Sequence, residues 1–257
     1  MKERCVDIPA PGGAIGTFIT HPSEHGPFPA VILYMDVWGV REELYDIARR
    51  IATVGYYCMV PDFYYRQGRV RNAFRNKDNR MISLDRLDPQ QQEIVRGPLD
   101  KLTDAMVIDD TGALLDFIGD NEPVRPGAMG CTGYCMGGRH VFRVAGTFPE
   151  RFKAMASMHG SWLVTDKDDS PHRLAHKLQG ELYCGFAECD RNATPQIIDT
   201  LDSTMSTCAV NYRREVHRGA KHGYALPDRD VYDKQAANRD WEHIFRMFSR
   251  QLAPAAC

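Results

Sequence analysis

Residues 130–138 read Gly-Cys-Thr-Gly-Tyr-Cys-Met-Gly-Gly and follow directly on a short apolar run. Within them, Gly133-Tyr134-Cys135-Met136-Gly137 has the pattern of a nucleophile elbow, with cysteine where most such turns carry serine. The pattern restricts the fold, because a strand must enter and a helix must leave through one sharp turn. A residue at that turn holds strained backbone angles, and small neighbours two positions before and after it relieve the clash. Cys135 then projects from the turn at the N-terminus of the following helix, where the helix dipole favours a thiolate and a developing oxyanion. A chain built this way is equipped for acyl-transfer chemistry.

The remaining sequence alternates short apolar runs with longer amphipathic stretches, the pattern of a mostly parallel sheet flanked by helices. Residues 14–20 read as an early edge strand, and 30–34 (Ala-Val-Ile-Leu-Tyr) as a buried strand that ends in the loop Met35-Asp36-Val37-Trp38-Gly39. Leu44, Ile47, Ala48 and Ile51 recur at helical spacing over 42–54; Gly55 closes that helix, and 56–60 form a strand stopped by Pro61. Helix is expected over 102–118, strand over 127–131, helix over 138–148 and strand over 152–158. Strand over 181–187, helix over 195–207 and strand over 209–216 follow. A terminal helix over 230–252 carries Trp241, Ile244, Phe245 and Phe248 on its apolar side. Residues 62–100 form an irregular excursion rich in Arg, Asn, Asp and Gln, open to reading as a solvated segment or a flap; composition favours the former. With no internal repeat or linker, residues 1–257 are expected to form a single α/β domain.

Composition excludes several classes of function. Hydrophobic residues make up 43 % and charged residues 26 %, which is ordinary globular usage. A formal charge of −2 gives no electrostatic reason to expect a nucleic-acid or anionic-membrane partner. No apolar run approaches the roughly 20 residues that span a bilayer, and the N-terminus lacks the apolar stretch of a signal peptide. The eight cysteines (Cys5, Cys58, Cys131, Cys135, Cys184, Cys189, Cys208 and Cys257) are scattered singly, some in apolar runs, so reduced thiols and a cytoplasmic location are expected. There is no Cys-x-x-Cys and no His-Glu-x-x-His, and neither a metal nor another cofactor is expected.

An elbow nucleophile needs a base, and the base needs an orienting acid; on this architecture they follow in the order nucleophile, acid, histidine. Of the histidines after Cys135, only His222 lies in a glycine-flanked loop (Gly219-Ala220-Lys221-His222-Gly223-Tyr224) between the last strand and the terminal helix. His140 and His243 fall on helices, His172 and His176 in a polar stretch, and His217 at a strand end. The acid belongs in the loop Gly185-Phe186-Ala187-Glu188-Cys189-Asp190, where spacing admits both Glu188 and Asp190 and leans to Asp190.

These residues resemble a known family. The Gly133-Tyr134-Cys135-Met136-Gly137-Gly138 segment, the Asp36-Val37-Trp38-Gly39 loop, Pro61-Asp62-Phe63-Tyr64 and Lys221-His222-Gly223-Tyr224 look like dienelactone hydrolase, an α/β-hydrolase branch with a Cys-His-Asp triad. The similarity runs from about residue 14 to the terminal helix. The resemblance implies an α/β-hydrolase fold, with Cys135 as nucleophile, His222 as base and Asp190, rather than Glu188, as orienting acid. It also implies an oxyanion hole from the backbone N–H groups of Val37 and Met136. Two departures stand out. The family's glutamate that contacts the thiol is here Asp36, one methylene shorter, a candidate modulator of the thiol or a structural loop carboxylate. The arginine four residues beyond the histidine, which pairs with the lactone's carboxylate, is here Leu226. A neutral or bulkier ester is therefore expected. Arg66 matches an arginine after the Asp-x-Tyr segment, and Trp38, Tyr64, His159, Trp162 and Tyr224 are further candidates to line a pocket.

The expected function is hydrolysis of an ester or lactone through a thioester acyl-enzyme. Two alternatives remain: a redox-sensing or binding protein with Cys135 as reactive thiol, and a hydrolase acting on another electrophile such as a phosphoester. The expected partner is a small-molecule ester or lactone, with monomer and homodimer both open.

Overall fold

In a computed structural model that describes residues 1–24, 26–119 and 122–252, the apolar runs become strands and the amphipathic stretches become helices. The chain divides into two units. The first takes Met1–Pro126 together with Asp228–Asp230, and the second takes Gly127–Pro227 and the chain from Val231.

The first unit contains strands β1 (Lys2–Ala10), β2 (Gly13–His21), β3 (Ala30–Tyr34) and β4 (Tyr57–Pro61), and helices α1 (Glu42–Thr53), α2 (Pro89–Lys101) and α3 (Asp104–Gly119). Its strand order is β1-β2-β4-β3. β1 and β2 form an antiparallel hairpin in the register Ala10↔Gly13 to Lys2↔His21, β2 runs antiparallel to β4, and β3 runs parallel to β4. The continuous apolar runs of β3 and β4 are explained by burial of every residue in them. α1 turns Leu44, Ile47, Ala48, Ile51 and Ala52 inward, the stripe its spacing suggested.

The second unit contains β5 (Met129–Tyr134), α4 (Met136–Thr147), β6 (Phe152–Met158), β7 (Glu181–Cys189), α5 (Pro195–Met205), β8 (Asn211–Lys221) and α6 (Lys234–Leu252). Its strands are ordered β5-β6-β7-β8 and all pair in parallel. Parallel neighbours place the ends of β5, β6, β7 and β8 on one side, so the loops that leave them meet there. α4 packs on β5 and β6, and α6 on β6 and β7.

Several expectations are corrected. The strand expected over 14–20 is not the edge of its sheet, because β1, not anticipated, pairs outside it. The excursion 62–100 holds a helix, α2, that begins at a capping box in which the Asp88 side chain accepts from Gln91 N–H at 2.8 Å, with Pro89 at the first helical position. The terminal helix starts at Lys234, not near 230, because Asp228 and Asp230 exchange backbone hydrogen bonds with Met81. Cys257 lies outside the described residues; the other cysteines are free thiols. Among the described residues, no helix is long and apolar enough to cross a membrane.

Candidate active site

β5 runs to Tyr134 and α4 starts at Met136, leaving Cys135 alone at the turn with φ 57° and ψ −114°. That conformation lies outside the wells an L-residue ordinarily occupies. Close packing holds it. A Cβ on Gly133 would lie 2.1 Å from the Gly137 carbonyl oxygen, and one on Gly138 would lie 2.7 Å from Gly160 Cα. The glycines therefore let the first turn of α4 fold back against β5 on one side and the loop after β6 on the other. Cys135 N–H donates to the Met158 carbonyl at 3.0 Å, and the Cys135 carbonyl accepts from the N–H groups of Gly138 and Ser161, each at 3.0 Å.

The candidate base, His222, comes from the loop after β8. Gly223, at φ 96°, makes the turn that follows His222, a conformation that excludes most side chains. His222 Nδ1 lies 2.6 Å from Asp190 Oδ2, and its ring also hydrogen-bonds to Cys135. Burial opposes a charge on this ring, but the Cys135 sulfur and the Asp190 carboxylate outweigh burial and push its pKa up to about 10. Asp190 is fixed from its own side: its Oδ1 accepts from the Asn192 N–H at 2.8 Å and from Asn192 Nδ2 at 3.1 Å. Burial would raise the Asp190 carboxyl, yet the His222 and Asn192 hydrogen bonds hold it below its usual range. Glu188, the other acid that spacing admitted, instead accepts from the Gly219 N–H at 2.8 Å.

Of three further candidates in this unit, His159 packs on His222 and Tyr224 on His159. His159, buried after β6 at φ 37°, packs edge-on against His222 with ring centroids 5.0 Å apart and against Tyr224 at 5.5 Å. Tyr224 is fully buried, and its hydroxyl donates to Asp240 Oδ2 at 2.6 Å. Trp162, at φ 53°, is exposed, and its carbonyl accepts from Arg139 Nη1. One neighbour was not anticipated from sequence. Ser161 Oγ lies 3.6 Å from Cys135 Sγ and is shut off from solvent, with a residue exposure of 1 %. No glycine or proline signal marks its position beyond Gly160.

The first-unit candidates are placed differently. Both oxygens of Asp36 are engaged by Arg41, at 2.8 Å and 3.0 Å, and Oδ1 also accepts the Trp38 N–H. Arg41 is in turn held by Asp228 at 2.6 Å. Asp36 is thus a buried carboxylate tied within the loop after β3 to Arg41 and the Trp38 N–H, contacts that suit the structural reading. Val37 is buried in that loop, and its carbonyl accepts from the Tyr64 hydroxyl at 3.2 Å. Trp38 is buried beneath the Arg229 guanidinium, which sits 5.0 Å from the ring centroid. Arg66 departs from expectation. Its guanidinium makes a two-pronged pair with the fully buried Asp110 at 2.7 Å and 2.8 Å and stacks on Tyr65, so its charge is spent inside the unit rather than offered to a substrate.

Comparison with known proteins finds relatives of one family along nearly the whole chain. The family model described as "Dienelactone hydrolase family" matches residues 15–252. A Synechocystis sp. protein named "putative carboxymethylenebutenolidase" is 25 % identical over 255 residues, 98 % of each chain. A solved Klebsiella pneumoniae structure titled "putative dienelactone hydrolase" superposes with a TM-score of 0.82 at 21 % identity, covering 97 % of this chain and 98 % of that one. A dienelactone hydrolase-like promiscuous phosphotriesterase from metagenomic libraries superposes with a TM-score of 0.77 at 17 % identity, covering 98 % and 99 %. The likeness in structure establishes the α/β-hydrolase fold.

Proposed function

Because the chain belongs to the dienelactone hydrolase family and is therefore a hydrolase, we propose that it cleaves carboxylic esters or lactones through a Cys135 thioester. The observation that carries the reading is the chain of contacts from Asp190 Oδ2 through His222 Nδ1, at 2.6 Å, to the Cys135 sulfur at the start of α4. Asp190 fixes the tautomer and orientation of the ring, and His222 holds the proton taken from the thiol. The thiolate sulfur forms a bond to the substrate carbonyl carbon, and the carbonyl electron pair moves to oxygen. The N–H of Met136, the first residue of α4, is a donor for that oxyanion. As the C–O bond breaks, the leaving alkoxide takes the proton from His222. A water then loses a proton to His222 and attacks the thioester carbon, and the sulfur departs as thiolate.

Leu226 is fully buried and apolar, so no cation stands at that position to pair with a substrate carboxylate. A neutral ester or lactone is the substrate class this favours. The redox-sensor alternative is not helped by Cys131, four residues before Cys135, since burial pushes that fully enclosed sulfhydryl far above the usual thiol range. Attack on a phosphoester is favoured by no feature of this site. A neutral aryl phosphotriester turned over faster than the matched carboxylic ester would put it first.

The decisive experiment compares wild type with Cys135→Ala on an activated aryl ester. Wild type should turn over with a burst of alcohol, and Cys135→Ala should lose essentially all of it. Full retention of esterase activity would sink the proposal. A panel of lactones and aryl esters with and without a free carboxylate then tests the substrate class, and a strong preference for the carboxylate-bearing members would contradict the inference from Leu226.

A further inference from the structure

A thiolate at Cys135 is enclosed, with a residue exposure of 8 %, so water cannot supply its full solvation shell. The hydroxyl of Ser161 lies 3.6 Å from the sulfur, within reach for an O–H donor to a large, polarisable acceptor. Its placement is imposed by the backbone. The Ser161 N–H donates to the Cys135 carbonyl at 3.0 Å, tying the loop to the elbow. On either side, His159 and Trp162 take positive φ values of 37° and 53° without being glycine. Gly160 lets the loop pack tightly, since a Cβ there would lie 2.5 Å from Ser157 Oγ. A segment strained at two positions, and bonded to the nucleophile's own peptide, is over-determined in the way functional loops are.

We propose that Ser161 is a further catalytic residue, whose hydroxyl donates a hydrogen bond to the Cys135 sulfur whenever that sulfur is a thiolate. The proposal rests on the reading of Cys135 as nucleophile. It makes a directional claim about the two half-reactions. A donor to the thiolate increases the thiolate fraction but lowers its intrinsic nucleophilicity, and the two effects partly cancel in acylation. In deacylation the sulfur is the leaving group, and there stabilisation of the departing thiolate helps without offset. Loss of the hydroxyl should therefore slow thioester breakdown more than thioester formation. No proton is transferred to or from Ser161 in either step; the separation of its oxygen from the sulfur contracts as charge develops and relaxes as the thioester forms.

The test measures iodoacetamide alkylation of Cys135 against pH, together with pre-steady-state burst and steady-state turnover of a neutral aryl ester. Wild type, Ser161→Ala, Ser161→Thr and Cys135→Ala are compared. For Ser161→Ala the alkylation profile should move up by about one pH unit, corresponding to a roughly tenfold fall in the acidity constant of the thiol. Steady-state kcat should fall about tenfold while the burst persists, so acyl-enzyme accumulates to a higher fraction. Ser161→Thr, which keeps the hydroxyl, should restore the profile toward wild type; a merely structural role would not follow the hydroxyl. Each variant's urea midpoint is recorded, and if Ser161→Ala fails to fold, Ser161→Cys, a weaker donor of similar size, takes its place with a smaller shift in the same direction. Superimposable pH profiles and unchanged kcat in the variants lacking the hydroxyl would overturn this inference alone. Turnover surviving in Cys135→Ala would instead overturn the nucleophile reading beneath it.

Discussion

Asp240 sits in the middle of α6, on its buried face, with a residue exposure of 2 %. Its Oδ1 accepts from the Tyr183 hydroxyl at 2.8 Å and lies 2.7 Å from His217 Nε2, while its Oδ2 accepts from the Tyr224 hydroxyl at 2.6 Å. Room for the cluster is made at Gly185, where a Cβ would stand 2.5 Å from the Tyr224 oxygen and 2.8 Å from Asp240 Oδ1. Burial first, and then the adjacent carboxylate, push both phenols far above their ordinary range, so they remain donors. Replacing Asp240 by Ala removes the acceptor from all of them at once. A hydrogen bond to a charged group contributes about 1.5–3 kcal/mol net, but the carboxylate's own desolvation offsets part of the sum. Breaking a buried charged cluster by removing one member costs about 3–5 kcal/mol. With a urea m-value near 3 kcal/mol/M, at the upper end of the usual range, Asp240→Ala should lower the unfolding midpoint by roughly 1–1.7 M. Asp240→Asn keeps the shape and one acceptor, and should lose about 1–3 kcal/mol. A cycle of Tyr183→Phe with Asp240→Asn should show coupling above about 0.5 kcal/mol. An Asp240→Ala midpoint within about 0.3 M of wild type would refute the reasoning, because it would mean the donors find other partners at no cost.

Other consequences are equally direct. Arg66→Met leaves the fully buried Asp110 without its cation and should destabilise by about 3–5 kcal/mol, while kcat/KM per folded molecule stays within a factor of two or so of wild type; a selective loss of activity on carboxylate-bearing esters would return Arg66 to the substrate site. Brief alkylation of the native protein at pH 8 followed by peptide mapping should modify Cys135 and the exposed Cys5 and Cys189 but spare Cys58, Cys131 and Cys184, whose burial pushes their thiols far up; labelling of Cys131 before unfolding would contradict its enclosure. His222 is raised to about 10, so the stability it contributes by holding a proton is full below its unfolded pKa of about 6.5 and is lost as pH climbs from there to about 10. Asp190 is depressed, so its contribution has the opposite sense: present above its unfolded value near 3.9 and lost as pH falls below it. Urea midpoints of wild type and Asp190→Asn across pH 3 to 10 should therefore diverge most between the two limits; curves parallel at every pH would show that the pair is not linked to folding.

What the sequence discloses and what it hides follow physical lines. β3, α1 and β6 were legible because a buried strand or a one-sided helix must repeat its apolar residues at a fixed period. α2 escaped because Val95 is its one fully buried residue, leaving no stripe to detect; its start was nevertheless written in Asp88-Pro89-Gln90-Gln91. The elbow cysteine and the histidine in a glycine-flanked loop were readable because both need unusual backbone, which glycine marks. Arg66 and Asp36 could not be judged from sequence. Their roles depend on Asp110 and on Arg41 with Asp228, partners brought close only by folding. Asp240 did leave a trace, as the one acid in the buried stripe that includes Ala236, Ala237, Trp241, Ile244 and Phe248. A carboxylate on a core-facing stripe requires donors, and the donors proved to be tyrosines on β7 and in the His222 loop.

Ser161 was hidden for a related reason. Its loop turns through positive φ at His159 and Trp162, where glycine would have advertised the turn. Non-glycine residues in such conformations cost about 1–3 kcal/mol each, and with Cys135 three of them lie within one stretch of the second unit. That sum is comparable with the net stability of a whole domain, about 5–15 kcal/mol, so it persists only if the surroundings enforce it. The enforcing contacts are between backbones: Cys135 N–H to Met158, Ser161 N–H to Cys135, and His159 N–H to the Gly185 carbonyl at 2.7 Å. None of them uses the sulfur or the serine hydroxyl. The frame is therefore built independently of the side chains it presents. Truncating Cys135 or Ser161 leaves a turn that glycine packing and peptide hydrogen bonds continue to hold, so the loss of activity proposed for those variants would report on the reaction rather than on the fold.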